Sequence, residues 1–292
     1  MGTRGDKFPV VYVDGDVPQL PIQLGQLLVD SSQVSTGVTN LQQCTSQNPL
    51  TYEPLQGGYP RNADEIAAGV VPTNYNYPPY NVMRYGADPT AVDDSTTAIT
   101  SGIAVAQAGS IGGYVYIPAG NYKVTSTLLV TADRVAVFGD GVDATRITFL
   151  PTTNDTLWEF NNGATSVWQC SLTDMTLFSN DSTYTKVALD LYDIRTFLCA
   201  RVWIGGSVAI SGSAYWAGNS ASIGVRTHGR EFGNFTNMLI AADRTIVLAE
   251  NPNDVRHTDH FHFSNLFLIG NANPIVEVTN DGLAISNLLF DG

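Results

Sequence analysis

The 292-residue chain has only three lysines (Lys7, Lys123 and Lys186), three cysteines and a charged fraction of 14%. Lysine and arginine together number 14 against 27 aspartates and glutamates, a net charge of −13. That balance argues against a nucleic-acid binder, whose affinity rests on cations meeting phosphate, and against docking on an anionic membrane surface. No run approaches the ~18 to 20 uninterrupted apolar residues of a membrane span, so no membrane insertion is expected. Arg4, Asp6 and Lys7 stand where a signal peptide needs its apolar core. Cys44, Cys170 and Cys199 are odd in number and far apart, which supplies neither a disulfide framework nor the CxxC spacing of a zinc site. They read as reduced thiols, two of them in buried strands.

What is present is enough apolar residue, 43%, to build a core. Residues 1–60 stand apart: they are rich in Gln, Pro, Gly, Ser and Thr, with two short apolar patches at 8–13 and 20–29. Such a segment becomes ordered against a partner or against copies of itself. Asn62-Ala63-Asp64-Glu65 reads as a capping box, with Asn62 and Glu65 three residues apart satisfying each other's orphan amides, and opens a short helix ending by Gly69. The linker 71–80 carries Pro72, Pro78 and Pro79 and must run extended. Asp93-Asp94-Ser95 caps a second helix whose Ala98, Ile99, Gly102, Ile103 and Ala106 share one face. From Gly113 onward the pattern changes to short alternating strands at 114–117, 122–125, 134–138 and 145–150, separated by Gly, Asn and Asp. No amphipathic helix follows residue 110, so the remainder is all-β.

Within that remainder a degenerate unit recurs, apolar-x-Asn/Asp-apolar-x-apolar. Its copies centre on Asp174, Asn237, Asn265 and Asn287, and Arg201 takes the polar place in a further copy. The centres lie 27, 36, 28 and 22 residues apart, the length of one solenoid coil with turns of varying size. Asn and Asp tolerate the left-handed backbone of a tight bend, while the flanking apolar side chains point inward and stack on those of the next coil. A two-sheet sandwich would instead place hairpin turns every eight to twelve residues.

Three stretches carry a resemblance to a known family: Asn81-Val82-Met83-Arg84-Tyr85-Gly86-Ala87-Asp88, then Asp93-Asp94-Ser95-Thr96-Thr97-Ala98-Ile99, then Gly112-Gly113-Tyr114-Val115-Tyr116-Ile117-Pro118-Ala119-Gly120-Asn121-Tyr122. Together they resemble the opening of the pectate-lyase-like right-handed parallel β-helix domain common in bacteriophage tailspikes and tail fibres. The match is specific over 61–125 and generic beyond. The expected fold is therefore all-β, a right-handed parallel β-helix solenoid over 113–292, with capping helices and a linker at 61–112 and an irregular attachment segment at 1–60. The resemblance implies a homotrimeric virion tail appendage that docks on tail or baseplate proteins through residues 1–60 and presents its solenoid to bacterial surface polysaccharide, with no cofactor. Asp291-Gly292 follows directly on a repeat unit without a terminal cap, from which further coils beyond residue 292 are expected.

Whether such a protein also cleaves its glycan is open at this level. Glycoside hydrolysis needs two carboxylates, ~5 to 5.5 Å apart for retention or ~6.5 to 9.5 Å for inversion, and neighbouring coils can supply them ~4.8 Å apart. The candidates are Glu231, Asp243, Glu250, Asp254 and Asp259, each of which can equally be a solvated turn residue. The polygalacturonase motifs are absent: His228-Gly229-Arg230 is a faint echo of Gly-His-Gly, and no acidic cluster with an arginine marks a calcium-dependent lyase. For glycan binding the candidates are Tyr215 and Trp216, in the longest interval of the repeat, and Arg230, because an exposed indole covers the apolar face of a pyranose. The alternative for Trp216 is packing beneath its own loop. No metal is expected, although His260 and His262 alternate with Phe261 and Phe263 so that both histidines leave one face of a strand. The competing readings are a depolymerase of the same architecture, a non-catalytic structural component of the tail, and a free bacterial polysaccharide lyase or hydrolase.

Overall fold

The structure, a computed structural model, describes residues 58–163, 166–205, 216, 221–228, 233–248, 261–270 and 276–278 with their side chains. It also describes the backbone of residue 249 and of the strands at 10–13, 27–30, 41–47, 50–54, 230–231, 258–259, 285–286 and 289–291. Four of these strands, Val10–Val13, Leu27–Asp30, Leu41–Gln47 and Leu50–Pro54, form a small sheet whose first pair is parallel and whose later pairs are antiparallel. The two apolar patches of the N-terminal segment supply its first two strands.

Helix α1 (Ala63–Ala67) begins with the expected capping box: the Asn62 side chain accepts from the Glu65 amide at 2.8 Å, and Glu65 accepts from the Asn62 amide at 2.9 Å. Glu65 does more than cap. Fully buried, it takes the Arg84 guanidinium through Nε at 2.5 Å and Nη2 at 2.9 Å and accepts from the Tyr85 hydroxyl at 3.0 Å. Arg84, equally buried, spends its other donors on the carbonyls of Tyr59, Pro60 and Tyr77, so the pair staples to α1 a linker that folds through turns at 74–77 and 78–81 instead of running extended as expected. Helix α2 (Thr96–Ala108) buries Ala98, Ile99, Gly102, Ile103 and Ala106 as the pattern predicts. Its start is held by Asp94, which accepts from the Thr96 amide at 3.0 Å; the Ser95 hydroxyl instead accepts from the Asp88 amide. Among the described residues no helix is long and apolar enough to cross a membrane.

After α2 the chain winds into parallel coils, each crossing three faces. The first face stacks Gly113–Ile117, Val135–Gly139 and the leading halves of Val167–Phe178, Ile194–Ile204, Gly233–Ala242 and His262–Gly270. The second stacks Gly120–Val124, Thr145–Phe149 and the trailing halves of those four long strands. The third stacks Leu128–Val130, Asp155–Phe160, Lys186–Tyr192, Ile223–His228, Arg244–Ala249 and Val276–Val278.

The bend that splits each long strand between two faces falls on the repeat's polar residue. Asp174, Arg201, Asn237 and Asn265 have φ of 61°, 53°, 54° and 49°. Leu177 faces Ile204, Ile204 faces Ile240 and Ile240 faces Leu268, offsets of 27, 36 and 28 that equal the spacings read from the sequence. Side chains join the bends into a ladder: Arg201 grips Asp174 through two bonds of 2.5 and 2.8 Å, and the Asn265 amide donates to Asn237 at 2.6 Å. The last copy does not follow the expected 22. Phe263 faces Phe290, an offset of 27, so the unit ending at Phe290 is out of register with the one centred on Asn265; Asn287 itself lies outside the described residues. Inside the solenoid a stack of rings runs from Phe160 through Phe197 and Phe235 to Phe263, with centroid separations of 4.9, 6.2 and 4.9 Å.

The two described cysteine side chains, Cys170 and Cys199, are buried free thiols in strands; burial pushes Cys170 up to about 11 and Cys199 further up. Cys44 lies in a strand whose side chains are outside the described residues.

Candidate functional site

On the outer face of the first sheet a groove of about 550 Å³ runs across four coils. Strand alternation builds it. Leu172, Cys199, Phe235 and Phe263 point into the solenoid, so their neighbours Ser171, Leu198, Asn234 and His262, register partners of one another, form an outward column. One edge is a bend occupied by Gln169 and Thr196, with φ of 56° and 64°. A β-branched threonine in the left-handed region is strained, and it lines the groove.

Next to that edge stands Trp168, 46% exposed, with the Arg195 guanidinium 4.8 Å from its ring centroid. The two are cross-coil register partners, and Asp133 fixes the platform by accepting from the Trp168 amide at 2.9 Å. Arg195 Nε and His262 Nε2 are shielded from water and have no hydrogen-bond partner among the described residues. The groove therefore combines an apolar patch at Leu198 with polar side chains of Gln169, Asn234 and His262, and an aromatic face stands beside it, a combination that can hold a polyhydroxylated, partly apolar ligand.

Beside the groove a three-stranded sheet joins Arg230–Glu231, Thr258–Asp259 and Ile285–Ser286. Its register pairs Arg230 with Thr258 and Glu231 with Asp259. Two of the acidic residues named from the sequence thus pair by backbone register on adjacent coils, ~4.8 Å apart. Asp243 is elsewhere, half-buried at the corner between the second and third faces. Glu250, Asp254, Tyr215 and His260 lie outside the described residues. His262 is on the groove floor, and among the described residues no three His, Cys, Asp or Glu side chains are grouped to hold a metal.

Trp216 requires a correction. It is fully buried: it stacks on Phe149 at 6.0 Å and donates its indole N–H to the Lys186 carbonyl at 3.4 Å. The large apolar ring packs at the corner between the second and third faces, so it is not the exposed sugar platform expected of it. The exposed indole is Trp168, which the sequence reading passed over because its partner Arg195 is 27 residues away.

A second polar cluster lies on the outer side of the third face. Asp190, 1% exposed, accepts from Arg226 through both carboxylate oxygens and lies 3.0 Å from His228 Nε2, and His228 stacks on Tyr192 at 3.9 Å. Burial pushes the Asp190 carboxyl up, but the hydrogen bonds from His228 and Arg226 outweigh it and hold the group below the usual range. Tyr192 is raised by burial and by the Asp190 charge. The carboxylate's acceptors are used within the cluster, which reads as a staple between two coils. Asp190 and Arg226, like Tyr192 and His228, are 36 residues apart, the interval between the bends at Arg201 and Asn237; that interval was the signal that could have found them.

The fold is a parallel β-helix solenoid. Residues 80–187 match the family model described as rhamnogalacturonase A/epimerase, pectate lyase-like, and the architecture is a right-handed parallel β-helix. Among solved structures the chain is similar to Geobacillus virus E2 ORF18, with 16% identity and a TM-score of 0.52, covering 91% of this chain. It spans 57% of the length of that protein. It is also similar to the A-module of a mannuronan C-5 epimerase from Azotobacter vinelandii, with 16% identity, a TM-score of 0.37 and coverage of 72% and 79% of the two chains. No curated protein sequence matches the chain.

Proposed function

We propose that the protein is a bacteriophage tail appendage that attaches to the virion through residues 1–60 and binds bacterial surface polysaccharide in the groove beside Trp168. The observation that carries this reading is the exposed Trp168–Arg195 stack on the rim of a groove lined by Gln169, Thr196, Asn234 and His262. An indole offers the apolar face of a pyranose a platform, and the flanking donors and acceptors meet its hydroxyls. The fold shared with a Geobacillus virus protein supports placing it on a phage particle. Retention on an array of capsular polysaccharides and lipopolysaccharides is the test. Wild-type protein should be retained, and Trp168→Ala should weaken binding by about tenfold, the worth of one lost stacking contact. Retention unchanged by Trp168→Ala would refute the groove; retention of nothing would refute the reading.

The second reading, a depolymerase, is favoured by the pairing of Glu231 with Asp259 beside the groove. Incubation with the retained polysaccharide, followed by assay of new reducing ends and of unsaturated uronate absorbance, separates it from simple adhesion. A hydrolase using this pair loses reducing-end release in Glu231→Gln and in Asp259→Asn while still binding.

A further inference from the structure

The outer surface of the first face carries a row of aromatic rings that lies outside the groove. On its first two strands, Gly113–Ile117 and Val135–Gly139, the inward residues Val115, Ile117, Val135 and Val137 are fully buried, which turns Tyr114, Tyr116, Ala136 and Phe138 outward. Tyr80, at the end of the linker, completes the row. Its ring lies 4.7 Å from Tyr114, Tyr114 lies 5.8 Å from Phe138, and Phe138 stacks on Tyr116 at 5.2 Å. Tyr114 is 44% exposed, and Tyr80, Tyr116 and Phe138 are half-buried. Carboxylates fix the two ends: the Tyr80 hydroxyl donates to Asp64, and the Tyr116 hydroxyl donates to Asp140 at 2.8 Å. Tyr80 is held at φ of 70°, a left-handed backbone that a tyrosine resists. Outward positions of a solenoid strand are where polar residues are expected, and strained residues gather at surfaces that hold ligands.

Register joins this row to the groove. Tyr114, Ala136, Ser171, Leu198, Asn234 and His262 are successive partners in one outward column, and Tyr116, Phe138, Thr173 and Ala200 are partners in the column beside it. Tyr114 therefore stands three inter-strand steps, ~14 Å, from Leu198 on the groove floor. The surface between them is made of Ala136, Ser171, Thr173 and Ala200, side chains short enough for a ligand to lie along the sheet.

We infer that Tyr80, Tyr114 and Phe138 form a second sugar-stacking subsite, and that this row and the groove make one track for a linear polysaccharide lying along the solenoid axis. The inference rests on the glycan reading of the groove and extends it to the length and direction of the ligand. Aromatic rings cover the apolar faces of pyranoses, and the carboxylates of Asp64 and Asp140 at the ends of the row accept sugar hydroxyls. The same carboxylates repel acidic sugars, so the units over the row are uncharged. An apolar protein segment seated here would instead have to desolvate both carboxylates.

Affinity for the intact polysaccharide that the array retains, and for a ladder of its short fragments, tests this on the full chain. Wild-type affinity should rise with fragment length until the track is filled. Tyr114→Ala should weaken binding of the intact chain about fivefold, the worth of one stacking contact, and leave the shortest bound fragment unaffected. Tyr114→Phe, which keeps the ring, should bind as the wild type does. Ala136→Glu, which raises a charged side chain between row and groove, should also weaken the intact chain and spare the shortest fragment. Intact-chain affinity unchanged by both Tyr114→Ala and Ala136→Glu, or equal losses for short and long ligands, would overturn the track. Dependence on Tyr114 for a chain built only of uronates would overturn the assignment to uncharged sugars. Trp168→Ala in the same assay separates the two sites. Losses with Trp168→Ala while Tyr114→Ala changes nothing remove the row and leave the groove; losses with Tyr114→Ala alone remove the groove and leave the row. Retention of no glycan removes both.

Discussion

Asp190 shows how a charge survives on a nearly closed surface of this protein. With 1% of its surface exposed it is desolvated, and it stays ionised because Arg226 and His228 spend their donors on it. Its folded pKa lies below the unfolded value, so its contribution to stability is fully present above about pH 4, the unfolded value, and is lost as pH falls through the folded one. Asp190→Ala should lower unfolding free energy at pH 7 by about 1 to 3 kcal/mol, because it leaves the partly buried Arg226 guanidinium without its carboxylate. The deficit should shrink as urea melts are repeated toward acid; a deficit that stays constant with pH would show that packing, not charge, sustains the site. Glu65 teaches a related lesson about what is readable at this scale. Its capping of α1 was legible because Asn62 is three residues away. Its ion pair with Arg84 was not, because that contact depends on how the linker folds back.

At the scale of one element, the bend residues do two separable jobs. Asn237 adopts φ of 54°, which any residue with a Cβ resists, and it accepts the Asn265 amide. Asn237→Ala should therefore destabilise the solenoid by roughly 1 to 2 kcal/mol. Asn237→Gly should recover most of that loss in thermal melts if the backbone dominates; failure of glycine to recover it would assign the loss to the side-chain ladder. The polar bend was visible in the sequence as a repeat, and the offsets of 27, 36 and 28 were right because each unit has the same local problem to solve. The copy ending at Phe290 was misaligned because Asn, Leu and Phe recur by chance; the backbone register sets Phe290 opposite Phe263 instead.

The whole molecule is a solenoid with one described end closed by a helix. Ile99 and Ile103 of α2 are buried, and Gly102 faces Val82, Tyr85 and Val115, so the helix lies over the start of the first coil where backbone groups would otherwise await another strand. Ile103→Asp should loosen that cover and turn a monodisperse sample into one that scatters light on mild warming. Clear solutions at the wild-type unfolding temperature would mean that the coil edge is protected without α2.

By itself the sequence determined what depends on near neighbours in the chain: the capping box, the buried face of α2, the alternation of strands, the left-handed bends and hence the solenoid. Those follow from backbone preferences and from the burial of every second side chain, which act over a few residues. Only the tertiary structure decided which residues meet across coils: Trp168 with Arg195, Glu231 with Asp259, Asp190 with Arg226, and Trp216 in the core. Such pairs lie 27 to 36 residues apart, and the length of each intervening turn sets their register. The site was illegible for that reason, since it belongs to the stacking of coils and to no single coil.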